Sequence, residues 1–229
     1  MLLFIATIAL LVGGFLALVA RGNPLRAWLS IASQALASTL VLTAAVPVLF
    51  GAAPLEALLP WPPPLGDVRL QVEALDAFFL CFSLPMTLLG SIYALGYLEP
   101  YMKSKRHVGA HFALLNLTSL AFIIIYTVEN SYAFLLGWEL AALAAWLLVI
   151  WDHGNQKIRF AGFNYLVSTH IGFLLLVAAF IVGGNHMQSN DLSAVGAFLQ
   201  EDTFLHDITF VVLMTSFGFK SAFFPFHTC

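Results

Sequence analysis

Of the 229 residues, 61% are hydrophobic and only 9% are charged, and the mean hydropathy is +0.92. Soluble domains run about 45–50% apolar and about 25% charged, so this excess excludes a water-soluble globular protein. The formal net charge of -3 is spread along the chain and offers no basic face for nucleic acid, and Cys81 and Cys229 are too few for a disulfide framework or a zinc site.

A hydrocarbon layer roughly 30 Å thick needs about 20 apolar residues in a helix rising 1.5 Å per residue. Reading the gaps between charges predicts seven spans, at Leu2–Ala20, Trp28–Phe50, Ala77–Leu98, Phe112–Val128, Ser131–Trp151, Phe160–Val182 and Ile208–Phe226. The first lacks the basic start and cleavage region of a signal peptide, so it counts as a span. The chain reads as one all-α integral membrane domain over residues 1–229.

Lys and Arg set the orientation. The first connection carries Arg21 and Arg26, the third Lys103, Lys105 and Arg106, and the fifth Lys157 and Arg159. The second carries Glu56, Asp67, Glu73 and Asp76 against Arg69; the fourth has Glu129; the sixth has Asp191, Glu201, Asp202 and Asp207. Basic and acidic connections alternate, which by the positive-inside rule puts the N-terminus outside and the end of the seventh span inside. Pro60, Trp61, Pro62, Pro63 and Pro64 predict a stiff external loop, followed by a strand-like stretch at Val68–Val72. Trp28, Trp138, Trp151, Tyr97 and Tyr101 read as anchors at the membrane interface.

Only Glu139 and Lys220 place a full charge well within a span. A charge at the bilayer centre costs about 2.5–3.5 kcal/mol or more, and such groups characteristically face the bundle interior and mark ion pathways. Glu139 precedes an alanine-rich stretch, Ala141, Ala142, Ala144 and Ala145, whose small side chains admit a neighbouring helix. Lys220 shares a helical stripe with Ser216 and Thr209, while Gly218 and Pro225 flank it and predict an interrupted seventh helix. His170 sits at the middle of the sixth span, and histidine is the side-chain type able to change charge near neutral pH. The fourth span adds the polar stripe Asn116, Ser119 and Thr127, which would line a hydrated path or bond to neighbouring helices. His107 and His111 are spaced as metal ligands but have no third ligand nearby, so no metal site is expected.

Two segments carry a family resemblance. Phe134-Leu-Leu-Gly-Trp-Glu-Leu140 resembles the fifth helix, and Gly218-Phe-Lys-Ser-Ala-Phe-Phe-Pro-Phe-His-Thr228 the broken seventh helix, of antiporter-like proton-pumping subunits. That family spans complex I (NADH:quinone oxidoreductase), Mrp-type cation/proton antiporters and the membrane subunits of formate hydrogenlyase and related hydrogenases. Tyr97-Leu-Glu-Pro-Tyr101 and the run from His111 to Asn116 look closest to the hydrogenase branch. The resemblance implies a multi-pass subunit of the cell (inner) membrane that carries protons, with sodium exchange left open, and performs no redox chemistry itself. It implies Glu139 and Lys220 as half of a proton channel, with His170 similar to a sixth-helix histidine, and no cofactor in this subunit. It implies as partners further membrane subunits and a peripheral redox module.

In the family the sequence continues past His-Thr with Trp-Leu-Pro and about as much chain again, so residues 1–229 resemble the N-terminal half and are expected to be a truncated form. An inert remnant is therefore one alternative. A retinal-binding seven-helix photoreceptor with Lys220 as Schiff base is another, opposed by the absence of a carboxylate counter-ion in the third span.

Overall fold

The computed structural model describes residues 1–60, 67–103, 107–200, 204–221 and 223. Trp61 with Pro62, Pro63 and Pro64, the basic pair Lys105 and Arg106, the acidic Glu201 and Asp202, and Pro225 lie outside the described residues. The expected stiff loop and proline break fall among them.

A helix stands at each of the seven expected places: α1 (Leu2–Val19), α2 (Asn23–Leu49), α3 (Ala74–Tyr97), α5 (Gly109–Ile125), α6 (Ser131–Val149), α7 (Gln156–Met187) and α9 (Phe204–Lys220). Short helices α4 (Glu99–Lys103) and α8 (Leu192–Phe198) lie in connections. Of these, α1, α2, α3, α7 and α6 with the tight turn continuing it to Asp152 are long and apolar enough to cross a membrane. Helices α5 and α9 have 17 residues each. The protein is thus a mainly helical, multi-pass membrane protein, and among the described residues five helices meet the length and apolarity of a crossing.

Several helices begin before their apolar runs. Helix α2 begins at Asn23, with Pro24 in its first turn, where a missing N–H costs nothing. Helix α7 starts at Gln156 and takes in Lys157 and Arg159, while Asn155 accepts a hydrogen bond from the Lys157 N–H as its cap (2.9 Å). Charge marks the edge of the apolar slab, not the end of the hydrogen-bonded helix. Strand β2 occupies Val68–Val72, as expected, and pairs with β1 (Leu55–Leu59), which the hydropathy pattern does not announce.

The described chain divides into two compact units, Met1–Ala57 with Leu70–Thr127, and Leu58–Arg69 with Val128–Cys229. In the first, α1, α2, α3 and α5 pack on one another. Their shared core combines Leu10, Val41, Leu80 and Leu84 with small residues such as Ala6, Ala37 and Ala45. Gly13 and Gly14 bring α1 close to Ser33 and Asn116. Asn116 is buried, and all its amide groups are used: Oδ1 accepts from Ser30 Oγ (2.9 Å), and Nδ2 donates to Ser33 Oγ (2.9 Å) and the Leu10 carbonyl (3.2 Å). Ser119 pairs with Thr87 (2.8 Å), and Thr127 donates to its own helix at the Ile123 carbonyl (2.7 Å). In this unit polar residues hold helices together, the role small and hydroxyl side chains play where lipid removes the hydrophobic drive.

In the second unit α7 packs against α6, α8 and α9. Leu135, Leu176, Phe180, Val195 and Leu213 form its core. Phe163, Leu174 and Val211 are exposed, an apolar exterior suited to hydrocarbon rather than water.

Candidate functional site

The site in the second unit begins at the cap of α6. Asn130 Oδ1 accepts from the backbone N–H groups of Tyr132 (3.0 Å) and Ala133 (3.2 Å). The flanking backbone is braced by Glu129 N–H to Arg69 C=O (2.9 Å), Ser131 N–H to Asn190 C=O (2.7 Å) and Leu192 N–H to Glu129 C=O (2.7 Å). These bonds fix where the helix starts, and so the depth at which Trp138 and Glu139 stand. One turn further on, Ala141, Ala142 and Ala144 are buried, which lets α7 approach closely.

Across that contact, Glu139 Oε1 lies 2.9 Å from His170 Nε2, with Glu139 the less exposed of the two. The other ring nitrogen, Nδ1, lies 2.9 Å from the Leu166 carbonyl one turn back on α7. A carbonyl can only accept, so Nδ1 carries hydrogen and donates to Leu166. The Nε2 contact with a carboxyl oxygen then requires a proton of its own, as imidazolium on carboxylate or as carboxylic acid on neutral imidazole. Two residues from different helices thus meet at a distance across which a proton can pass. The second carboxyl oxygen of Glu139 is buried and has no hydrogen-bond partner among the described residues.

Helix α9 brings Lys220. Gly172 is where α9 meets α7: a Cβ there would lie 2.9 Å from Phe219 Cβ and 3.2 Å from the Ser216 carbonyl. Ser216 Oγ donates to the Gly172 carbonyl at 2.6 Å, tying the two backbones together. Thr209 and Ser216 lie on the buried stripe of α9 with Leu213, and Lys220 follows one turn after Ser216. Its Nζ donates to the Trp138 carbonyl (3.4 Å) and lies 4.8 Å from the centroid of the Trp138 ring. Among the described residues Lys220 makes no ion pair with Glu139, whose carboxylate is turned to His170. Helix α9 ends at Lys220, and the Phe223 N–H closes back on the Gly218 carbonyl (3.0 Å).

Glu139, His170, Lys220 and Ser216 are therefore assembled in one unit, while Asn116 and Ser119 belong to the helix seam of the other. Trp138, read as an interface anchor, has a packed ring: it stacks on Phe134 (5.6 Å), meets Phe217 edge-on (5.4 Å) and carries the Lys220 ammonium. Sequence alone missed this because tryptophan near a span end has a common interfacial role, and only the neighbouring Glu139 hinted otherwise. The sequence likewise left Gly172 unremarked, since an approach by α9 is not encoded on α7. His107 has both ring nitrogens engaged, Nδ1 by the Gly109 N–H (3.2 Å) and Nε2 by the Leu18 carbonyl (3.0 Å). No cluster of three His, Cys, Asp or Glu suited to a metal occurs among the described residues.

The second unit thus keeps a carboxylate, an imidazole and an ammonium among apolar helices. Residues 129–228, which hold all these groups, match the family described as NADH:quinone oxidoreductase/Mrp antiporter, TM. Hydrogenase-4 component B of Escherichia coli is 24% identical over 163 residues, covering 71% of this chain and 24% of that protein. NAD(P)H-quinone oxidoreductase chain 4 3 of a Picosynechococcus species is 28% identical over 173 residues, covering 73% and 30%. A chain in the structure of the membrane-bound sulfane sulfur reductase, an archaeal respiratory membrane complex, has the same fold over 99% of this chain and 35% of its own, with a TM-score of 0.76 at 18% identity. The resemblance carried by the two helix motifs is thus also found by independent comparison, and the chain spans between a quarter and a third of these relatives' length.

Proposed function

We propose that this chain is a proton-translocating segment of a membrane subunit in a redox-driven complex, with Glu139, His170 and Lys220 as its proton-carrying groups. The observation that carries this reading is the Glu139–His170 contact, a carboxyl–imidazole pair at hydrogen-bond distance across two helices with Lys220 on the adjoining helix. Intramembrane ionisable groups are costly and are retained where ions move. The similarity to hydrogenase and quinone oxidoreductase subunits supports a place beside other membrane subunits and a peripheral redox module that drives the ion movement. The alternating charge of the connections supports seven crossings in a cell (inner) membrane with the N-terminus outside.

The test is Lys220→Ala in the assembled complex, purified and reconstituted in proteoliposomes. Proton uptake driven by the redox reaction is lost, while electron transfer through the partner subunits continues. Proton uptake at the wild-type rate refutes the assignment.

A further inference from the structure

We propose that Trp138 is a positioning residue for Lys220, a preformed berth that holds the ammonium away from Glu139 and so sets how often the two groups meet. This inference rests on the reading of Lys220 as a proton-carrying group.

The berth has two parts, both supplied by one residue. The indole face lies 4.8 Å from Nζ, inside the distance of about 6 Å over which a ring quadrupole attracts a cation. The Trp138 backbone carbonyl accepts from the same Nζ at 3.4 Å, through the lone pair its own helix bond leaves free. The ring is not at liberty to follow the lysine. Phe134 stacks on it from the same helix and Phe217 meets it edge-on from α9, one turn before Lys220 itself.

Glu139 is the next residue along α6, so its side chain leaves the helix about 100° away from that of Trp138. There it faces His170 on α7, with Tyr165 of the same helix within electrostatic reach. The ammonium and the carboxylate are therefore held by different neighbours. Glu139 keeps a buried oxygen without a partner, and Lys220 keeps hydrogens that the carbonyl does not use. An ion pair between them is chemically complete, and the two are already within electrostatic reach, but Nζ rests on Trp138 rather than within 4 Å of the carboxylate. The strength of that berth then decides the balance between the parted and the paired arrangement, as any differential contact does in a two-state equilibrium.

The experiment uses the assembled complex with Trp138→Phe, Trp138→Leu and Lys220→Met. The first readout is the ultraviolet resonance Raman signature of Trp138, isolated by subtracting the spectrum of Trp138→Phe. A cation over the ring perturbs the indole bands, and the perturbation disappears in Lys220→Met. An identical Trp138 signature with and without the lysine overturns the berth. The second readout is redox-driven proton uptake. It changes by roughly 2- to 30-fold on loss of the indole face, in the order Trp138→Leu beyond Trp138→Phe, because the attraction falls from Trp to Phe and vanishes for Leu. Equal rates in the wild type, Trp138→Phe and Trp138→Leu also overturn it. The direct difference between the wild-type and Lys220→Met spectra needs no change at Trp138, so the test survives if Trp138→Leu fails to fold. Failure of the translocation reading shows separately, as wild-type uptake in Lys220→Ala whatever the Raman result.

Discussion

Replacing Asn116 by Ala separates a residue that clamps helices from one that lines a path. The amide makes three hydrogen bonds, to Ser30 Oγ, Ser33 Oγ and the Leu10 carbonyl, linking α5 to both α2 and α1. None of these partners is stranded by the change. Ser30 still donates to the Phe112 carbonyl (3.1 Å) and Ser33 to the Ser30 carbonyl (2.8 Å), so no penalty for an orphaned buried group is added. Side-chain hydrogen bonds between membrane helices average about 0.6 kcal/mol, so three of them amount to about 2 kcal/mol. In a chain of 150–250 residues that lowers the unfolding midpoint by about 4–8 °C. Ser33→Ala removes one of the three bonds and should cost about a third as much. The assay is thermal unfolding in detergent for both variants, beside proton uptake in proteoliposomes. An unchanged midpoint with uptake abolished would refute the clamp and make Asn116 part of the ion path.

Four further outcomes follow from the site. Glu139→Gln keeps the shape of the carboxyl group but cannot share an ionisable proton with His170, so proton uptake should fall steeply; a fully active variant counts against the pair. Gly172→Leu cannot be accommodated, because even a Cβ would lie 2.9 Å from Phe219 Cβ; the protein should unfold at lower temperature and lose uptake, and a wild-type midpoint would show that α9 does not rest there. Asn130→Ala removes the α6 cap and should cost about 1 kcal/mol, measurable as a midpoint about 2–4 °C lower. At the exposed Glu99–Lys103 pair, the ammonium holds the Glu99 carboxyl below its ordinary range. The contribution is present above the unfolded carboxylate's pKa and fades as pH falls through the lowered one. Full exposure makes it small, so Glu99→Gln should leave the unfolding midpoint unchanged at neutral pH, and a clear drop would show the pair matters more than its surroundings suggest.

Hydropathy and charge spacing by themselves located every long helix, because lipid demands long apolar runs and expels Lys, Arg, Asp and Glu to the edges. They also singled out Glu139 and Lys220, since a charge inside such a run is costly to insert. Helix ends were less legible: α7 continues to Met187 and α9 ends at Lys220, because backbone hydrogen bonding is indifferent to where the apolar layer stops. What the sequence could not hold was partnership. That Glu139 meets His170 and Lys220 rests on Trp138 depends on which faces of α6, α7 and α9 are pressed together, and contacts between residues 31 and 82 positions apart carry no periodic signal. The polar stripe of α5 shows the same division. Its residues are visible in the sequence, but only the close approach of α1 at Gly13 and Gly14 gives Asn116 its hydrogen bonds to neighbouring helices.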